Sequence, residues 1–266
     1  MTPQVRGVII PCMRIAIGIE YDGTAYNGWQ RQRVGHGVQE RVEEALSRIA
    51  DTAVSVVCAG RTDTGVHATG QVAHFDTSSD RDLRGWLLGA NSCLPDDIAV
   101  TWVRTVDDEF HARFSATSRS YRYRILNHIV RSAIHRHRAW WLYQPLDAGR
   151  MQDAAQLLLG RHDFSAFRAA GCQASTPTRD IRSISVVRDG DWLTLEITAN
   201  AFLQHMVRNI TGTLVAVGLG DQPVEWVASV LQGRDRKVAG ITAPAHGLTL
   251  TQVEYPKEFG LVNMRP

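Results

Sequence analysis

The sequence predicts an α+β fold of two similar halves, each contributing to a largely antiparallel sheet with helices packed on one face. Three observations carry this. Segments with apolar residues at every second position alternate with segments at helical spacing. Hairpin signals break any strict strand–helix alternation, which argues against a doubly wound parallel sheet. The order of elements before Phe110 also begins again after it. At 266 residues, with about 150 to a typical domain, the chain has room for one large domain or two modest ones. We expect a loose leader over residues 1–13, one half over 14–110 and the other over 111–266.

The first strand begins at Arg14, where Ile15, Ile17 and Ile19 share one face, and turns at Asp22-Gly23. Val38, Val42, Ala45, Leu46 and Ile49 recur at helical spacing opposite Glu40, Arg41, Glu43 and Glu44, as in a helix covering a sheet. Residues 54–58 and 71–75 read as strands, 83–90 as a second helix and 98–103 as a strand. In the second half, 121–126 is a strand, and 148–159 a helix begun by Asp147 and stopped by Gly160. A hairpin follows, 181–187 and 193–198 about Asp189-Gly190-Asp191, and then a helix over 205–217.

Composition excludes several classes. With 44% apolar and 21% charged residues, the chain folds rather than staying disordered. No apolar run reaches the roughly 18 residues of a membrane span, and residues 1–13 lack the apolar core of a secretory signal. Cys12, Cys58, Cys93 and Cys172 are far apart and show no zinc spacing. A soluble, cytoplasmic protein without structural metal is expected.

The formal charge is only +2, yet its basic side is almost all arginine, Lys237 and Lys257 being the exceptions. Between Phe110 and Leu146 stand Arg113, Arg119, Arg122, Arg124, Arg131, Arg136 and Arg138, four histidines and no acid. Codon bias would add arginine everywhere without removing every carboxylate from one stretch. Phe110, Phe114, Tyr121, Tyr123, Trp140 and Trp141 are interleaved with these cations. Cations that neutralise phosphates beside rings that stack on bases point to a nucleic-acid partner. On a strand, Tyr121 and Tyr123 face one way and Arg122 and Arg124 the other.

The densest polar string is Ala59-Gly60-Arg61-Thr62-Asp63-Thr64-Gly65-Val66-His67-Ala68, directly after a strand. Its glycines permit a tight loop that presents side chains. An arginine such as Arg61 beside Asp63 favours the charged carboxylate, the form suited to a nucleophile or general base. The plainer alternative is a loop aspartate bonded to its own turn. Asp63-Thr64-Gly65 is also the triplet of aspartic proteases, but their two carboxylates share a proton, which a nearby arginine opposes. No GxxxxGK[ST] phosphate loop occurs.

That string, together with Tyr21-Asp22-Gly23, Gly28-Trp29-Gln30-Arg31-Gln32, Phe110-His111-Ala112-Arg113-Phe114-Ser115-Ala116 and Ala201-Phe202-Leu203-Gln204-His205-Met206-Val207-Arg208-Asn209, resembles the tRNA pseudouridine synthase A family from about Arg14 to Tyr255. The resemblance implies isomerisation of uridine to pseudouridine at positions 38, 39 and 40 in the anticodon stem-loop of tRNA. It also implies a homodimer, no cofactor, no metal, and two halves whose sheets join around a basic cleft. It makes Asp63 the catalytic nucleophile, Arg61 the residue that helps displace the target base, and Arg208 the partner of the catalytic carboxylate. Tyr121 becomes the ring that stacks on the flipped uracil and a candidate base for the C5 proton. The tRNA contacts it implies are Phe110, His111, Ala112, Arg113 and Phe114, then Gly171, Cys172, Gln173, Ala174 and Ser175, and Arg81. The family often has two basic residues before that tyrosine, where this chain has Arg119 and then Ser120.

The chemistry fits one carboxylate. Uridine loses its N1–C1′ bond, turns within the site and rejoins through C5, passing an electron-poor sugar as in glycoside cleavage. Attack at C1′, addition to the ring and removal of a sugar proton all remain open to Asp63. Flipping the base costs a few kcal/mol, which a stacking ring and an inserted arginine offset. His67 is expected to be a satisfied structural histidine, and His135 and His137 part of a solvated basic loop. Trp140, Trp141 and the apolar face of the 205–217 helix are expected in the core. A non-catalytic RNA-binding protein and a dimeric aspartic protease are the competing classes.

Overall fold

The computed structural model describes residues 12–261, so nearly all of the expected leader and residues 262–266 lie outside the described residues. One sheet of ten strands forms its centre: β1 (Met13–Tyr21), β2 (Val57–Cys58), β3 (His67–Thr77), β4 (Ile98–Val106), β5 (Ser118–Asn127), β6 (Trp140–Leu142), β7 (Gly160–Asp163), β8 (Thr178–Asp189), β9 (Trp192–Ala199) and β10 (Leu248–Glu254). The helices are α1 (Val38–Ala50), α2 (Leu83–Cys93), α3 (Ala148–Gln156), α4 (Met206–Gly218) and α5 (Trp226–Gly233).

Sheet order is β4-β1-β3-β10-β5-β9-β8-β7, with β2 also on β3 and β6 on β5. Two similar units repeat. β4-β1-β3 carries β2 beside β3, and β10-β5-β9 carries β8 beside β9, with every one of these pairings antiparallel. In chain order α1 and α3 each follow the first strand of a unit, while α2 and α4 follow the third. The units join where Thr249 and Leu250 of β10 run parallel to His67 and Ala68 of β3. The α+β fold with a largely antiparallel sheet is therefore as the sequence predicts.

The helices cover one face. Ile15, Ile17 and Ile19 are fully buried there with Val42, Leu46 and Trp86, and each such side chain contributes roughly 1.5–3 kcal/mol. Asp82 and Asp147 cap α2 and α3 by accepting from Gly85 N–H and Arg150 N–H, satisfying donors that a helix start leaves free. The opposite face is covered by chain rather than by helix. Ala16 and Val72 pack there with Phe110, Ala112 and Leu261, flanked by Trp102, Tyr255 and Phe259. Gly18, two residues on from Ala16, leaves room on this face for the Trp102 indole.

Several elements differ from expectation. The strand expected over 54–58 shrinks to β2, because α1 takes the backbone donors before it: Ser47 Oγ accepts from Val54 N–H at 2.9 Å and Glu43 Oε1 from Val56 N–H at 3.0 Å. The helix expected over 148–159 ends at Gln156 and continues to Gly160 as short-range turns, Leu158 N–H donating to Ala155 O at 3.0 Å. β6, β7, α5 and β10 are additional. Trp141, expected in the core, is 39% exposed, its indole N–H donating to His128 O, since β6 is an edge strand on β5. Among the described residues no helix is long and apolar enough to cross a membrane.

Candidate active site

Asp63 sits in the loop from β2 to β3, at the junction of the two units, and the loop is braced from below. Tyr21, on the last position of β1, shares a 2.7 Å hydrogen bond with Thr62 Oγ1 inside the protein. Trp29 N–H donates to Thr62 O at 3.0 Å, and Gln71 Nε2 donates to Gly60 O at 2.7 Å. Gly65 turns the chain at φ +75°. Gly28, at φ +92°, lets its backbone lie against this loop, for a Cβ there would stand 2.6 Å from Thr62 O. The separated strings around Tyr21 and Gly28 thus meet beneath one aspartate.

The Asp63 side chain is 28% exposed, and its Oδ2 faces Arg208 Nη1 and His205 Nε2, both at 3.5 Å. Arg208 is aimed by a second bond, Nε donating to Ala243 O at 2.7 Å. Loop spacing suggests Arg61 as the neighbouring guanidinium and the family resemblance implies Arg208; the structure places Arg208 there. Arg61 is exposed and makes no ion pair among the described residues.

Tyr121 comes from β5, paired with Leu250 of β10 and Ile197 of β9. It is 8% exposed, with its ring edge-on to Phe202 at 5.1 Å, and its hydroxyl lies 3.9 Å from the position of a Cβ on Gly60. Burial, then the charge of Asp63, push that hydroxyl's pKa above its ordinary value. A phenol held protonated is a hydrogen-bond donor.

The other expected site residues divide by side chain. Phe110 and Ala112 are fully buried, so their side chains anchor the loop instead of facing a ligand, Ala112 N–H donating to His74 Nδ1 at 3.1 Å. Between them His111 is half-buried, edge-on to His74 at 4.9 Å and stacked on Phe114 at 4.3 Å, while Arg113 lies 5.5 Å over the same ring. Phe114 is 76% exposed. Gly171, Gln173 and Ser175 are exposed, Cys172 and Ala174 half-buried. Their loop is tied toward Asp63: Arg168 donates to Cys172 O and Ala174 O, and Gln204 N–H, next to His205, donates to Cys172 Sγ. Arg81 is exposed beyond the Thr77 end of β3, away from His67, and is not brought beside Asp63.

The acid-free arginine stretch does not form one surface. Arg119 is 9% exposed and donates to four backbone carbonyls, those of Ala59, Arg113, Ala116 and Asn200. Arg122 pairs with Glu196 at 2.7 Å, Arg124 lies over Trp192 at 4.1 Å, and Arg138 pairs with Asp22 at 2.7 Å. Acids distant in sequence return to it in space. His67 is buried, as expected, with Nδ1 accepting from Gly23 N–H at 3.0 Å and Nε2 donating to His137 O at 2.7 Å. His205 is the functional candidate that sequence reasoning missed. His205 lay in a string already noticed, and only the fold brings it to Asp63. Among the described residues no three His, Cys, Asp or Glu side chains are grouped to hold a metal ion.

Comparison with known proteins matches the tRNA pseudouridine synthase family over residues 17–115 and 154–256. The chain belongs to this family. The synthase is 55% identical over 254 residues to tRNA pseudouridine synthase A of Legionella pneumophila strain Lens, covering 96% of this chain and 97% of that protein. It is 59% identical over 252 residues to tRNA pseudouridine synthase A of Aeromonas hydrophila, covering 95% and 94%. The synthase is accordingly an isomerase. The first matched segment contains β2, β3 and β4 with most of β1, the second contains β7 to β10, and β5 lies between them.

Proposed function

We propose that this synthase acts in the cytoplasm as a homodimer, isomerising uridine to pseudouridine at positions 38, 39 and 40 in the anticodon stem-loop of tRNA. Asp63 is the catalytic carboxylate, no cofactor takes part, and the target base is flipped out of its stack. The observation that carries this is the setting of Asp63: a part-exposed carboxylate on a braced loop, facing Arg208 beside the ring of Tyr121.

The chemistry follows from that setting. Oδ2 faces Arg208 and His205, while Oδ1 has no hydrogen bond among the described residues. A free carboxylate oxygen serves attack at C1′, addition to the uracil ring or removal of a sugar proton, and the partners on Oδ2 fix its direction. Arg61, exposed and unpaired among the described residues, can enter the stack left by the departing base. Tyr121 supplies a ring face, and Phe202 holds that ring edge-on. Arg113, His111 and Phe114 on one side and the 171–175 loop on the other are suited to phosphates and unstacked bases.

The test is incubation of the purified protein with an unmodified tRNA transcript, carbodiimide derivatisation and primer extension. Stops at positions 38 to 40 are expected. Stops elsewhere in the tRNA would overturn the site assignment, and binding without any stop would favour a non-catalytic RNA-binding role.

A further inference from the structure

We propose that His205 is a positioning residue for Asp63, holding Oδ2 from the side opposite the substrate so that Oδ1 alone meets the target nucleoside. This rests on the reading of Asp63 as the catalytic carboxylate. Two independent geometric features support it. His205 Nε2 lies 3.5 Å from Asp63 Oδ2, the same oxygen that Arg208 Nη1 reaches at 3.5 Å. His205 also has φ +63° and ψ 2° at the start of α4, a left-handed backbone that a residue with a Cβ adopts at a cost.

That conformation is not explained by capping. The His205 side chain makes no cap hydrogen bond, and a helix start usually has an extended residue whose side chain accepts from the first turn. Here Met206 N–H already donates to Leu203 O at 3.0 Å, closing a turn that starts α4. The backbone bend places the ring over the catalytic loop, with Arg208 one turn further along the same helix. His205 just before α4 and Arg208 in its first turn thus reach the same oxygen.

The ring's protonation state matters to this role. Burial lowers the His205 pKa; Asp63 in the catalytic loop opposes this, while Arg208 on α4 and Arg236 in the 236–238 turn add to it. The resting ring thus favours its neutral form, with Nε2 3.5 Å from the carboxylate oxygen. Protonation at low pH turns it into a full counter-charge that damps the carboxylate's reactivity.

The experiment compares D63A, H205A, H205G and H205Q on unmodified tRNA transcript, with kcat, KM and the pH profile of kcat for each. Glycine accepts a left-handed backbone without strain, so H205G removes the ring without penalising the fold. We expect H205A and H205G to lose up to about 100-fold in kcat, with KM for tRNA changed less than about two-fold. H205Q, which restores an N–H donor but cannot titrate, should recover at least about ten-fold over H205A and shift the acidic limb of the profile to lower pH. Turnover by H205G close to wild type, or H205Q as impaired as H205A with an unchanged profile, would overturn the proposal. Turnover by D63A would instead overturn the reading of Asp63 on which it rests.

Discussion

Replacing Arg119 with methionine keeps most of the side chain's length and removes its charge and donors. In the native protein its guanidinium donates to Ala59 O at 2.9 Å, Arg113 O at 2.6 Å, Asn200 O at 2.9 Å and Ala116 O at 3.2 Å. The bond to Ala59 O is buried and the other three are part-buried. An acceptor left unpaired in the interior costs about 1–3 kcal/mol, and water reaching a part-buried one recovers much of that. The full cost at Ala59 and about half of it at the other three give a loss of roughly 2.5–7.5 kcal/mol. Burial also opposes the charge itself, lowering the Arg119 pKa, so removing the cation returns part of its desolvation. For a chain of this size, each kcal/mol lowers Tm by about 2–4 °C, and a fall of about 10 °C is expected for R119M. Scanning calorimetry at fixed pH and salt measures it. A shift below about 3 °C would refute the assignment of these bonds as a structural tie. Because Ala59 opens the catalytic loop and Arg113 lies in the outward loop, turnover below Tm should fall as well, whereas R122M, which breaks only an exposed pair with Glu196, should change Tm by less than about 3 °C.

Other predictions are more local. R61A should leave Tm within about 2 °C of wild type, since Arg61 is exposed, while lowering kcat/KM on tRNA at least about ten-fold by removing the group that fills the vacated stack; equal activity would exclude that role. R208Q removes the charged partner of Asp63 and one bond to Ala243 O, so single-turnover rates should fall more than tRNA binding measured by filter retention, and an equal loss in both would contradict a role at the carboxylate. His74 is buried and accepts Ala112 N–H, and burial pushes its pKa down to about 4. The unfolded chain therefore binds more protons between about pH 6.5 and 4, and urea-unfolding stability should decline as pH falls through that window. H74N, which keeps an acceptor near Nδ1, should flatten the decline; an unchanged slope would count against His74 as its source.

Much of the fold was legible because its signals are local. The alternation of Ile15, Ile17 and Ile19 and the capping aspartates Asp82 and Asp147 act within a few residues, and the corresponding elements appear where expected. β10 carries a readable alternation of Leu248 and Leu250, but its placement against β3 depends on residues about 180 positions away. Residues 54–56 look like strand and are not, because side chains of α1 answer their backbone donors. For the site, the loop of Asp63 was legible from its density of polar residues. Its cationic neighbour was legible only through the family resemblance and not from loop spacing, since Arg208 stands 145 positions away and reaches Asp63 only because the repeated units meet along β3 and β10. Likewise the arginine stretch read as one basic surface, whereas Glu196 and Asp22 arrive from other strands and loops, and Arg119 turns inward. Sequence proximity misled most where charge was concerned.

The most direct measurement is single-turnover conversion of a tRNA transcript whose target uridine carries tritium at C5, comparing wild type with D63A and D63N. Pseudouridine formation releases that tritium. Wild type should release it and both variants should release none above background while retaining tRNA binding within a few fold. Tritium release by either variant at a rate near wild type would contradict a mechanism centred on the Asp63 carboxylate.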